Sequence, residues 1–244
     1  MQGMLMQDWG IKATAEGRKT VTRRLGGLQE INKDPDKWHF VTSAIRDILP
    51  VHVGDCLLEN REGQQSWVKP RYHVGQTIYI KEAWCESFDG SKIHYKLDGG
   101  ESPGPKGFWR SPLFMPAWAA RRFVKILAVT AGRVQEITEA EAKKEGVGYG
   151  FQMNAGWPDY QHIENGICSL TQDTAIASFS TLWDSINARP KPVYIRQGGQ
   201  RIISHYVSYP WEDGTRVEEH RGKKLYICGN PWVFRNEYEL VKPD

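Results

Sequence analysis

Cysteine is scarce in this chain and scattered along it. Cys56, Cys85, Cys168 and Cys228 include no Cys-x-x-Cys pair and no nearby histidine, so neither a zinc site nor a disulfide framework is signalled. The expected state is four buried thiols in a reducing cytoplasm. Long apolar runs are missing too: no stretch approaches the roughly 18 residues of a membrane span. The opening MQGMLMQDWG has neither the basic start nor the apolar centre of an export signal, so export and membrane insertion are not expected. An excess of one charge is also absent. Against 29 Asp and Glu, 32 Lys and Arg leave a net charge of +3, so any nucleic-acid contact must come from local clustering. No internal repeat or low-complexity tract appears.

What is present is enough apolar material for a core. In 244 residues, 40% are hydrophobic, which suits one large domain or two small ones. Ten Trp and ten Tyr fit either an aromatic core or stacking platforms for bases.

The most concentrated chemistry lies in GRKTVTRR, Gly17 to Arg24. Arg18, Lys19, Arg23 and Arg24, with the hydroxyls of Thr20 and Thr22, gather donors for a phosphate or a polar base edge into one turn and a strand start. A solvated basic edge strand has the same composition. Upstream, Ile11 and Ala15 predict a short helix over 8–16, with Asp8 as its cap and Gly17 as its left-handed stop. Lys19 therefore feels two opposed influences. The negative pole of the helix favours its ammonium, and the neighbouring arginines favour the neutral amine.

Further along, Thr77 to Trp84 reads as a strand that carries Glu82 inward behind Ile78 and Ile80. There it needs a partner such as Arg23, or a functional reason. Glycines and prolines between Asp89 and Pro116 predict a long irregular loop. It ends in Trp118, Arg121 and Arg122, which fit either a backbone-binding patch or a basic rim over a buried Trp118. Thr138-Glu139-Ala140-Glu141 is a capping box whose helix runs to Lys144 or Glu145 and stops at Gly146. Glu145 at its negative end suits a proton donor or acceptor. A second helix is predicted over 171–187, with its aromatic stripe facing the core. A hairpin excursion follows over 188–228, and the last strand alternates Trp232, Phe234, Asn236, Tyr238 and Leu240 on one face.

Four blocks in this order, Gly17 to Arg24, Tyr72 to Trp84, Met115 to Gly146 and Leu182 to Leu240, resemble the ASCH family of the PUA-like fold, particularly its larger phage and prophage members. They cover roughly half the chain and include Thr-Glu-x-Glu-Ala, Leu-Trp-Asp-Ser-Ile-Asn and Asn230-Pro231-Trp232-Val233. The resemblance implies an α+β fold: a partly open β-barrel with flanking helices, in a single domain over 1–244. Insertions are expected at about 26–70, 88–112 and 188–228. It also implies a cleft for RNA or a modified nucleoside, in the cytoplasm of a prokaryote or a phage-infected host.

Small bacterial members of the family are amidohydrolases that deacylate N4-acetylcytidine without metal or other cofactor. They use a lysine and a threonine of the basic motif and a glutamate of the later helix. The matching positions are Lys19, Thr22 and Glu145, expected to be catalytic. Arg18, Thr20, Arg23, Arg24, Glu82, Trp84, Trp118, Arg121 and Arg122 are expected to bind substrate. One tension remains: strict strand alternation would put Lys19 and Thr22 on opposite faces unless the backbone turns or bulges. The rival expectation is a non-catalytic RNA-binding module, with arginines on phosphates and Trp84 or Trp118 stacked on a base. A third, ribonuclease activity, has no clear metal-ligand set in the sequence.

Overall fold

The structure, a computed structural model, describes residues 1–46, 51–102, 108–148, 156–164 and 167–242. Parts of the expected insertions at 26–70 and 88–112 lie outside these residues. Strand β1 (Gly3–Leu5), helix α1 (Asp8–Ala15) and strand β2 (Val21–Arg24) open the chain. Strands β3 (Trp38–Ser43), β4 (Cys56–Asn60) and β5 (Gln65–Val68) form an antiparallel meander. Strand β6 (Thr77–Lys81) is followed by the hairpin of β7 (Trp84–Glu86) and β8 (Ile93–Tyr95), then by β9 (Phe123–Arg133) and helix α2 (Glu139–Lys144). Short pieces β10 (Trp157–Pro158), β11 (Ile163–Glu164), β12 (Ile167–Cys168) and β13 (Thr171–Gln172) precede helix α3 (Ala175–Asn187). Strands β14 (Lys191–Gln197), β15 (Gln200–Ser208), β16 (Thr215–His220) and β17 (Lys223–Cys228) build a second sheet, and β18 (Trp232–Val241) returns to the first.

The architecture is mixed α+β and mostly sheet. The central sheet runs β1-β6-β9-β18-β2, with only β1 and β6 parallel. It does not close into a barrel. Its edges, β1 and β2, are consecutive strands joined through α1, and the Arg24 guanidinium donates across the seam to the Leu5 carbonyl at 2.7 Å. Helix α1 covers that seam because Ile11 is apolar and buried, packing with Met4 of β1 and Tyr238 of β18.

Period-two alternation places β18 as the sequence predicts. Trp232, Phe234 and Tyr238 are buried in the main core beside Ile78, Ile80, Val124 and Ile126, whereas Leu240 is exposed. A second apolar cluster lies on the opposite side of β18, where Val233 meets Ala142 of α2 and Phe179, Leu182 and Trp183 of α3.

Local differences from the sequence expectation have plain causes. Asp8 is the first helical residue of α1, not its cap, and Gln7 holds the cap position with no side-chain bond. Helix α3 starts at Ala175, not at 171. Thr171 and Gln172 pair with β10, and the Thr174 hydroxyl caps the helix by accepting from the Ala177 N–H. The excursion after 188 is a four-stranded sheet, ordered β14-β15-β17-β16, packed on Tyr206, Leu225 and Ile227. All four cysteines are buried and free. Among the described residues no helix is long and apolar enough to cross a membrane.

Candidate functional site

The basic motif is shaped by the way α1 ends. Gly17 takes the left-handed conformation at φ +73°, and the N–H groups of Arg18 and Lys19 both return to the Ala13 carbonyl, at 2.9 and 3.0 Å. Thr20 N–H then donates to Lys144 O at the end of α2, at 2.9 Å. Lys19 thus lies in the turn before β2, and Thr22 is the second residue of the strand. Strand alternation does not relate the two, which removes the conflict of faces. Helix α2 delivers the third residue. Glu145 caps its C-terminus, with its N–H on Glu141 O at 2.9 Å.

The Lys19 and Glu145 side chains meet under cover. Lys19 is 5% exposed and Glu145 3%. Lys19 Nζ donates to Glu145 Oε2 at 2.7 Å, Glu145 O at 2.7 Å and Val21 O at 2.9 Å. The other carboxylate oxygen accepts from Arg23 at 3.0 Å, and Arg23 also donates to Glu141 at 2.8 Å. Burial is the strongest influence on Lys19 and pulls it below the ordinary lysine value of 10.5. Glu145, by charge and hydrogen bond, pulls it back up, and Arg24 and Arg23 pull it down again.

Lys19, Thr22 and Glu145 line a single cavity of about 440 Å³ at the unclosed seam of the central sheet. That size lies within the roughly 300–1,000 Å³ of small-molecule sites. One wall is polar, with Arg23 and Arg24 beside the three; the other is apolar, with Trp9 from α1 and Phe179, Leu182 and Trp183 from α3. Lys19 Nζ stands 5.6 Å from the centre of the Trp9 ring. Among the described residues the Thr22 hydroxyl makes no hydrogen bond, so it is available to a ligand; its backbone carbonyl accepts from Asn236.

The remaining predicted residues fall into two groups. Arg18 and Thr20 flank Lys19. Arg18 pairs with Glu16 and donates to Gly146 O at 3.3 Å, whereas Thr20 contributes backbone bonds to Lys144 and Tyr238. Glu82, Trp84, Trp118, Arg121 and Arg122 form a separate cluster and line no part of the cavity. Glu82 is completely buried, and its partners are Arg121 at 2.9 and 3.0 Å and Arg122 at 2.6 and 2.8 Å, not Arg23. Arg121 is further held by Asp98 and lies over the Tyr95 ring at 3.8 Å. The two arginines are therefore charge-compensated within the fold. Trp84 is 2% exposed and unable to stack on a base, while Trp118 is 65% exposed and meets it edge-on at 5.5 Å.

Sequence reasoning passed over Trp9, Asn236 and Tyr238. Tyr238 OH lies 3.1 Å from Thr14 Oγ1, and burial pushes this phenol up. The usable signal was Asn236, one polar side chain in the apolar face of β18; it is buried, and its Oδ1 has no partner. Trp9 carried no signal beyond its type. Among the described residues no group of three or more His, Cys, Asp or Glu side chains gathers as a metal-ligand set. No protein-family model matches the chain, and neither a curated protein nor a solved structure matches it.

Proposed function

We propose that this chain is an amidohydrolase of the ASCH, PUA-like type that removes the acyl group from an N4-acylated cytidine or a similar modified nucleoside. Its partly open barrel would be the central sheet, with α1 across the open seam. The observation that carries the proposal is the buried Lys19–Glu145 pair, 2.7 Å apart, lining one nucleoside-sized cavity with the unpartnered hydroxyl of Thr22. A flat base fits against Trp9 and the apolar wall, with its exocyclic nitrogen towards the polar one.

The chemistry closes on itself. Proton transfer within the pair converts ammonium and carboxylate into neutral amine and carboxylic acid, which the desolvation of Lys19 favours. Water attacks the acyl carbon and gives a proton to the Lys19 amine. The Thr22 hydroxyl donates to the developing oxyanion. Collapse breaks the C–N bond, and Glu145 protonates the departing nitrogen, so the products are the free acid and cytidine and the pair regains its charges. Water is preferred to Thr22 as nucleophile because the described residues show no Thr22–Lys19 hydrogen bond through which the hydroxyl could be activated.

A second reading has its own support. Lys19 Nζ already satisfies three acceptors, which is the full complement of an ammonium and suits a structural clamp in a non-catalytic nucleotide-binding module. Acid release from N4-acetylcytidine, followed by chromatography, separates the two. Turnover in the native chain and its loss by at least about 100-fold in Lys19→Ala and Glu145→Gln, with circular dichroism unchanged, is the expected result. Saturable binding of cytidine without any acid released would leave the binding module.

A further inference from the structure

The charges of the cavity do not balance. Lys19, Arg23, Arg24 and Lys191 line it against the one carboxylate of Glu145. Glu145 and Glu141 engage Lys19 and Arg23. Arg24 and Lys191 have no acidic partner among the described residues. Arg24 gives one N–H to Leu5 O, and its Nε is buried without a partner. Lys191 makes one hydrogen bond, to Asn187 Oδ1 at 3.0 Å, so two of its three donors are unused. The amide nitrogen of Asn187, which also lines the cavity, donates to no described group.

Cations half withdrawn from water and left without a counter-ion are unfavourable, and an anion that enters beside them recovers the loss. Lys191 is such a case: its one described partner is the neutral Asn187, and burial pulls it below 10.5. Its place in the fold matters too. Lys191 begins β14, just beyond the end of α3, while Lys19 follows α1. Both lysines line the same cavity as the apolar side chains of α3.

On the proposal that the cavity holds an acylated pyrimidine, we infer that Lys191 and Asn187, aided by Arg24, form a phosphate subsite, so that the substrate class is a nucleoside monophosphate rather than an uncharged nucleoside. The base end lies at Trp9, Lys19 and Glu145 and the phosphate end at Lys191. The same phosphate chemistry exists in a polynucleotide backbone; the dianionic monoester carries more charge on one group and suits a bounded cavity.

Calorimetric binding of cytidine, cytidine 5′-monophosphate and a short cytidylate oligonucleotide at low salt tests this. None of these probes is acylated, so the result does not depend on hydrolysis. The monophosphate is expected to bind about tenfold or more tightly than cytidine. Lys191→Met and Asn187→Asp should each bring that ratio close to one, while Lys191→Arg keeps most of it. Asn187→Asp supplies an internal carboxylate to Lys191 and serves should Lys191→Met fail to fold. Equal binding of cytidine and its monophosphate, a preference that survives in both variants, or tighter binding of the oligonucleotide overturns the inference. A monophosphate preference without amide cleavage removes the hydrolase and keeps the subsite; cleavage without the preference does the reverse.

Discussion

Gly146 sets where Lys19 stands, because it combines a left-handed backbone at φ +92° with a close approach: a Cβ there would lie 2.9 Å from Lys19 Cβ and 3.2 Å from Ala13 Cβ. Any side chain strains the turn and pushes on the lysine at once. Gly146→Ala should cost roughly 1–3 kcal/mol in denaturant unfolding and lower turnover beyond what the folded fraction explains. Unchanged stability would sink this account. Lys19 itself gives a pH signature. Between its lowered folded value and 10.5 the unfolded chain holds a proton that the folded chain has released, so stability rises with pH across that window. Unfolding measured from neutrality to 10.5 should show that rise, and Lys19→Met should flatten it. The rate of amide cleavage should fall over a basic limb that begins below 10.5, since the pair then loses the one proton that Glu145 passes to the departing nitrogen.

Helix α2 is short, and several contacts outside it fix its position. The Thr138–Glu141 capping box closes its first turn; Glu141 also holds Arg23, and the Lys144 carbonyl receives Thr20. Glu139 reaches sideways, accepting the N–H groups of Ala175 and Ile176 at 3.0 and 3.1 Å, so one helix caps the next. These bonds align Glu145 at the end of α2 with the apolar wall on α3. Glu139→Ala should cost about 1 kcal/mol, as loss of a helix cap does, and raise KM more than it lowers kcat. Stability that does not move would mean water replaces the carboxylate at no cost. The capping box and the glycine stops were legible because they are local, with donor and acceptor within six residues. The cap from Glu139 to α3 was not, since it joins residues 36 and 37 positions apart.

At the scale of the whole molecule two ionic clusters have separate duties. The Lys19–Glu145–Arg23 group borders the cavity, whereas Glu82 with Arg121 and Arg122 lines no part of it and ties the end of β6 to the start of β9. Glu82→Gln leaves Arg122 without a carboxylate among the described residues and Arg121 with Asp98 alone, and should cost roughly 3 kcal/mol in unfolding free energy, with KM for the proposed nucleoside substrate unchanged in the folded protein. A raised KM at full stability would return this cluster to substrate binding. The sequence alone determined the period-two face of β18, the amphipathic run of α3, the glycine that ends α1 and the residue types able to exchange protons, because each depends on neighbours within a few positions. It also raised the expectation that Glu82, if turned inward, needs a partner such as a cation or a functional reason. Which cation answered, which tryptophan stayed exposed, and that Lys19, Thr22 and Glu145 share one hollow with Lys191 were decided by the tertiary structure. Those outcomes depend on how a sheet ordered β1-β6-β9-β18-β2 brings its two edges together across α1, and pairings between residues more than a hundred positions apart leave no periodic trace in the chain.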